Sequence, residues 1–292
     1  LIYQNEYKIN YQDINSKECN KIVNNKNLTS TFLEKYNIPI PKSIEYKFSL
    51  SNLFSKKEII NNIQKTLNYP LVVKPVGECQ SKDVYINIKE ENTLRKILQK
   101  LTFKYKELKI EEHTEGKLFR ILIINNEIID ILERPLPFVI GNGKNTIDEL
   151  INIRNENQIN KGLYATKKIN YQYIKNQTID INKPILKNKK IYITNIPSFF
   201  NGSNPIRINI KTVHQDNLDL FLKINSLVKA NISGLDFISN DLGMSYQINS
   251  GKLIEINDSF SSYQIHKYAK PKENITPQIL SNIEKILQNK YK

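Results

Sequence analysis

The sequence predicts an α+β protein with largely antiparallel sheets, and three observations carry that expectation. Short runs rich in Ile, Leu and Val alternate with stretches of helical character along all 292 residues. Two of those runs, 119–124 and 127–132, are separated by Asn125-Asn126 alone, and both residues tolerate the left-handed backbone that a tight hairpin needs. Capping-box pairs of the S/T-x-x-E type stand at Ser55/Glu58 and Thr146/Glu149, each ahead of a helical pattern.

Taken in order, residues 1–25 are polar and show no clear period. A short helix is expected over 27–37, ending before Pro39. Residues 38–46 then read as extended, because a residue preceding proline is pushed out of the helical region. Ser55 opens a helix over about 56–68. Strands follow at 71–76 and 84–88, joined by the polar loop KPVGECQSKDV, 74–84. A helix near 90–101, a strand at 108–113 and the Asn125-Asn126 hairpin come next. GNGKNT, 141–146, is a turn, and Thr146 starts a helix. Residues 155–185 are polar and read as loop, and 189–196 read as a strand. In the helix beginning near Asn217, Leu218, Phe221, Leu222, Leu227 and Val228 cluster on one face. Strands at 234–242 and 252–257 follow. Thr276 as N-cap with Pro277 in the first helical position begins a closing helix.

Composition narrows the function classes. Hydrophobic residues make up 39% and charged residues 25%, and no apolar run approaches the length that crosses a bilayer. No membrane partner is expected. The first ten residues do not read as a secretory leader. Cys19 and Cys79 form neither a metal motif nor a disulfide framework, so a reducing, cytoplasmic setting is expected. The net charge of +14 comes from lysines dispersed singly, without a zinc finger, an RNP-type strand or a helix-turn-helix. That pattern favours an acidic substrate over nucleic acid.

Several residues have the right types for phosphate chemistry. In the strand 253–257, Glu255 and Asn257 point to one face. A carboxylate and an amide oxygen so placed suit a hard cation such as Mg²⁺, and Asp241 from the preceding strand is expected to add a third oxygen. Lys74 ends an apolar strand and Lys26 precedes a helix, so both ammonium groups can meet a phosphate. Arg120 and Arg134 lie on the two hairpin strands, and arginine clamps carboxylates and phosphates with two parallel bonds. Two lysines, two arginines and a three-oxygen cation set together suggest phosphoryl transfer.

The order of these residues resembles the ATP-grasp superfamily, in particular cyanophycin synthetases and the ATP-grasp half of bifunctional glutathione synthetases. The similarity runs from about Lys26 to His266. It rests on NKNLTSTFLEKYNIPIP, YPLVVKP, IEEHTEGKLFRILI, TVHQDN, GLDFISNDL and LIEINDSFSSYQIH. ERPLPFVIGNGKNTIDELI, 133–151, is the most specific of the matching segments. The resemblance implies two α+β lobes enclosing a nucleotide cleft, here an arm over 1–25, a small lobe over 26–110 and a large lobe over 111–292. It implies an ATP- and Mg²⁺-dependent carboxylate–amine ligase that forms an amide bond through an acyl phosphate. The expected substrate is an amino acid or an acidic peptide. By the same resemblance Lys26, Lys74 and Ser81 contact the phosphates, and Glu111 lies in the hinge strand beside adenine. Arg120 and Arg134 face the acyl phosphate or substrate carboxylate. Asp241, Glu255 and Asn257 hold the metal, and Ser198, Asn201 and Gly202 face the acceptor.

The departures from the family pattern define a second reading. Glu78, Ser81 and Asp83 stand where the family loop has glycine, and two of them bring negative charge towards a phosphate. Leu118 stands where the family has the acid that holds the ribose. Phe260-Ser261 replaces a Pro-Gly pair. A degenerate relative, acting as a nucleotide- or peptide-binding or scaffolding subunit, would show such changes. Only 25 residues precede Lys26, whereas the family carries a further domain there. A longer protein, a homodimer or other partner chain that completes the site, and a minimal variant remain as alternatives.

Overall fold

The computed structural model describes residues 2–4, 7–9, 14–47, 56–78, 82–177, 179–258 and 263–290. Two compact units are present. The first takes Leu1–Ile131, Ile208–Ser262 and Asn274–Lys292, and the second takes Leu132–Arg207 and Tyr263–Glu273.

The first unit begins with a ribbon of β1 (Ile2–Gln4) and β2 (Tyr7–Ile9), followed by α1 (Lys17–Val23), α2 (Lys26–Glu34), β3 (Ser43–Lys47) and α3 (Lys56–Thr66). β4 (Leu71–Pro75), β5 (Tyr85–Ile88), α4 (Glu91–Thr102), β6 (Glu107–Glu112), β7 (Lys117–Ile124) and β8 (Glu127–Arg134) come next. The second unit adds β9 (Phe138–Ile140), α5 (Ile147–Asn160), α6 (Tyr171–Lys175), β10 (Lys190–Tyr192) and β11 (Ile206–Ile208). The chain then forms α7 (Gln215–Val228), β12 (Ile232–Ser239), α8 (Tyr246–Asn249) and β13 (Lys252–Asn257) in the first unit. α9 (Tyr263–Lys267) belongs to the second unit and α10 (Thr276–Lys290) to the first.

The predicted α+β class with antiparallel sheets is what the chain adopts. One sheet has the order β3-β6-β4-β5 with every pair antiparallel. Leu71 and Val73 of β4 and Leu108 and Ile110 of β6 share a core with Ile60 and Ile63 of α3 and Leu94 and Leu101 of α4. Because side chains alternate faces, Lys74, Lys109 and Glu111 project from the opposite side of that sheet. The second sheet runs β8-β7-β12-β13. Phe119, Ile121, Leu235, Phe237, Leu253 and Ile256 bury one of its faces against Leu220, Phe221 and Ile224 of α7. Alternation therefore sends Arg120, Asp236, Glu255 and Asn257 to the other face.

The hairpin forms as expected, with φ of 52° at Asn125 and 56° at Asn126. Thr146 caps α5, and the Glu149 carboxylate accepts from the Thr146 N–H at 2.8 Å. Residues 155–185, expected as loop, contain the end of α5 and all of α6, whose Asn170 cap accepts from the Tyr173 N–H, and three further details differ from the sequence reading. Residues 17–23 are helical. A two-turn helix is too short to show a period, and it holds through Cys19 and Val23 packed in the core and Ser16 accepting from the Cys19 N–H. Asn15 also ties this segment down. Its amide donates to Ile232 O at 2.8 Å and accepts from the N–H groups of Asn231 and Ile232. In α7, Leu220 and Ile224 join the buried face and Leu218 is only partly buried. At α10 the Thr276 N–H is capped by the Asn274 side chain, so Thr276 is the first helical residue and not the cap. Ser55 lies outside the described residues.

The second unit has two small cores. Val139, Ile147, Leu150, Ile151, Ile174 and Ile191 make one, and Leu132, Phe199, Ile265 and Ala269 make the other. Among the described residues no helix is long and apolar enough to cross a membrane.

Candidate functional site

The register of the second sheet builds a row of charges. Asp236 pairs with Arg120 on one side and with Glu255 on the other. Residues directly opposite in antiparallel strands project together, so Arg120, Asp236 and Glu255 stand side by side on one face. Gly234 pairs with Asn257 in the next row on that face. A register shift lies between Asp236 and Phe237, and bulges of that kind re-aim side chains beside active sites. The Arg120 guanidinium grips Asp236 with two bonds, Nε to Oδ1 at 2.5 Å and Nη2 to Oδ2 at 3.2 Å, and both residues are buried. At the far end of the row, Lys26 Nζ of α2 lies 3.3 Å from Glu255 Oε1. The sequence along the row is cation, acid, acid, cation. Two carboxylates placed directly opposite repel each other unless a cation joins them.

Asp241 does not join this group. β12 ends at Ser239, and the register runs Glu255 and Asn257 back towards Gly234, away from the Asp241 end. Five residues of strand separate Asp236 from Asp241, roughly 16 Å at about 3.3 Å per residue. The Asp241 carboxylate instead accepts from the Gly243 N–H at 2.8 Å and shapes the turn. The oxygen set brought together is Asp236 and Glu255, with Asn257 in the adjacent row. Two carboxylates and an amide oxygen fit a hard divalent cation that also takes oxygens from its ligand. Among the described residues no group of three or more His, Cys, Asp and Glu side chains could hold a metal.

A second cluster lies on the first sheet. Lys74 and Lys109 are directly opposite on β4 and β6. Glu111 sits between their ammonium groups, with Oε1 2.7 Å from Lys74 Nζ and Oε2 3.8 Å from Lys109 Nζ. All three residues are buried. Lys109 also donates to the Ser30 hydroxyl of α2. Burial pushes the Lys109 ammonium below its ordinary pKa, a loss that the Glu111 charge opposes. Glu111, expected beside adenine by resemblance, is thus occupied with two lysines. Lys109 and Ser30 were missed. A lysine flanked by Leu108 and Ile110 in a strand was the available signal.

The adverse charge in the loop after β4 is neutralised locally. Both oxygens of Glu78 accept from Lys82 Nζ, at 3.0 and 2.9 Å. Asp83 accepts from Lys104 and Tyr105, and the Lys104 bond, more than the Tyr105 one, holds its carboxyl below the usual range. Lys26 donates to the Glu78 carbonyl at 2.8 Å. Ser81 and Cys79 lie outside the described residues, as do Phe260 and Ser261.

The remaining candidates belong to the second unit. Arg134 is buried at the end of β8. Asn201 is buried and its side-chain oxygen accepts from the N–H groups of Lys167 and Lys168, at 2.9 and 2.8 Å. Gly202 has φ +84°, and a Cβ there would fall 2.3 Å from Thr166 Oγ1. Ser198 is buried, and its carbonyl accepts from Asn201 and Ser203. The polar groups of Asn201 and Gly202 therefore fasten their loop to the 167–168 segment and to Arg154 of α5.

No family model matches the chain. Curated relatives do. A cyanophycin synthetase from a Synechocystis species is 24% identical over 241 residues, covering 78% of this chain and 26% of its own length. The glutathione biosynthesis bifunctional protein GshAB of Clostridium perfringens is 28% identical over 254 residues, covering 81% of this chain and 30% of its own. The chain thus spans less than a third of the length of these relatives. Among solved structures, a bifunctional glutathione synthetase from Pasteurella multocida matches with a TM-score of 0.57 at 20% identity, over 94% of this chain and 37% of that one. The ATP-grasp ligase PsnB, complexed with a precursor peptide and AMPPNP, matches with a TM-score of 0.53 at 12% identity, over 94% and 62%. The chain has the ATP-grasp fold, and its sequence is similar to cyanophycin synthetases and bifunctional glutathione enzymes.

Proposed function

We propose that this chain is an ATP-dependent carboxylate–amine ligase. The observation that supports this most is the row Arg120–Asp236–Glu255–Lys26, in which two adjacent acids are flanked by two cations. With Asp236 and Glu255 neutralised by a bound divalent cation, Lys26 and Arg120 would be left to meet anionic groups.

In the proposed reaction a substrate carboxylate oxygen attacks the γ-phosphorus of ATP, and ADP leaves. The amine nitrogen then attacks the acyl carbon of the resulting acyl phosphate. Phosphate leaves and the nitrogen gives up a proton, so an amide is formed. Lys26 and Lys74 hold phosphate oxygens, and Arg120 steadies the transferred group. Asp236, Glu255 and Asn257 would hold Mg²⁺, which would supply charge neutralisation at the phosphates. By resemblance Arg134 meets a substrate carboxylate. The names of the relatives, which speak of cyanophycin, glutathione and a precursor peptide, support an amino acid or peptide as substrate, and the net charge of +14 supports an acidic one.

Thermal unfolding with ATP, with and without Mg²⁺, tests the reading. At a hundred times its dissociation constant the nucleotide adds about 2.7 kcal/mol to the folded state, a shift of a few degrees. Asp236→Asn should remove the Mg²⁺ dependence and Asp241→Asn should keep it. An unshifted wild type at millimolar MgATP, or the opposite ranking of the two variants, defeats the assignment. Phosphate release that requires both an acid and an amine then distinguishes a ligase from a binding protein.

A further inference from the structure

Lys109 lies one residue ahead of the segment 110–123 that carries the family likeness, and no role follows for it from that resemblance. Its surroundings are unusual for a lysine. It is 4% exposed. It faces Lys74 across β4 and Glu45 across β3. Its ammonium donates to the Ser30 hydroxyl and lies 3.8 Å from a Glu111 carboxylate that Lys74 holds at 2.7 Å. One carboxylate therefore serves two buried ammonium groups. Glu45 and Glu34 also favour its charge, yet neither forms an ion pair with it within 4.0 Å among the described residues.

A buried cation with less than a full counter-charge carries a desolvation cost that an incoming anion relieves. A small cavity lies beside Lys109. Lys26, Thr29, Ser30, Lys109, Glu111 and Glu255 line this cavity of the first unit. The two ammonium groups in that lining can donate to an anion, while the Thr29 and Ser30 hydroxyls donate to the carbonyls of Ile22 and Lys26, so that Ser30 Oγ accepts from Lys109 and orients its ammonium. Meanwhile the loop after β4 has one glycine, Gly77, so it offers few close backbone N–H groups to a phosphate.

We propose that Lys109, assisted by Ser30, is a third phosphate-binding lysine beside Lys26 and Lys74, replacing neutralisation that a glycine-rich loop would supply. This rests on the nucleotide reading above, so the test separates the two. Calorimetric titration with MgATP, with inorganic tripolyphosphate and with adenosine would be run on wild type, Lys109→Met and Lys109→Arg. Loss of one charge-assisted contact should weaken MgATP and tripolyphosphate by about 10- to 100-fold in Lys109→Met. Adenosine binding should stay unchanged, and Lys109→Arg should recover most of the loss. Wild-type tripolyphosphate affinity in Lys109→Met overturns the proposal. Binding of tripolyphosphate without MgATP by the wild type would sink the nucleotide reading and leave the anion site standing. Binding of neither would sink both. If Lys109→Met gives no cooperative melt, Ser30→Ala takes its place, and an unchanged affinity there counts against the site.

Discussion

Buried cations occur in both units, and their partners differ. In the first unit Lys74 and Lys109 share Glu111, and Arg120 grips Asp236. In the second, the partly buried Arg154 donates to the Gly202 carbonyl and to Thr166 Oγ1, while Arg207 donates to the carbonyls of Pro271, at 2.6 Å, and His266, at 3.0 Å, with the Glu273 carboxylate farther off at 3.9 Å. A carboxylate partner can in principle be exchanged, since another anion can stand beside the cation and another cation beside the carboxylate. A main-chain carbonyl cannot leave without moving the backbone. Arg154 and Arg207 thus read as fasteners, whereas the carboxylate-paired cations of the first unit are candidates for binding, and the partner decides which.

The largest effect that tests this contrast is Glu111→Gln. It leaves two buried ammonium groups without their shared charge and should destabilise the protein by roughly 3 kcal/mol. Urea unfolding measures that loss, and tripolyphosphate should restore more stability to the variant than to the wild type. Arg207→Met in the second unit should cost about 2–3 kcal/mol by stranding two carbonyls. Tripolyphosphate should restore none of it. A restored Arg207→Met would break the comparison. Gly202→Ala should cost about 2 kcal/mol, because its backbone is left-handed and the new Cβ meets Thr166. A neutral result in thermal melts would show that the loop relaxes freely.

The smallest effect concerns pH. Asp83 is held below its ordinary pKa by Lys104 and Tyr105. A depressed carboxylate stabilises the fold above its unfolded pKa and loses that contribution as pH falls through the folded value. Asp83→Asn should therefore be less stable than wild type at pH 6, by under about 1 kcal/mol because the Lys104 partner is exposed. The two should converge below about pH 4. A constant gap down to pH 3 would show that the effect is not the ion pair.

Much of the fold was legible beforehand, because its signals are local. Asn125-Asn126 set the hairpin through their own backbone preference, and Thr146 with Glu149 set a helix start within four residues. Helix α1 was not legible, since seven residues give no period and its hold on the chain comes from Asn15 reaching β12, 217 residues away. The site divides in the same way. Glu255 and Asn257 on one face follow from alternation alone. Their acidic neighbour did not follow, because Asp236 and Asp241 both lie in GLDFISND and only strand pairing distinguishes them.

The fold class and the faces of each strand could be read from the chain alone, since these depend on spacing within a few residues. Only the folded chain shows that Asp236 meets Glu255, that Lys109 shares Glu111 with Lys74, and that Asn201 is tied to Lys167 and Lys168. Those are facts of register and of contacts between distant segments. A period of two fixes which face a side chain takes, but not which residue of the next strand it faces.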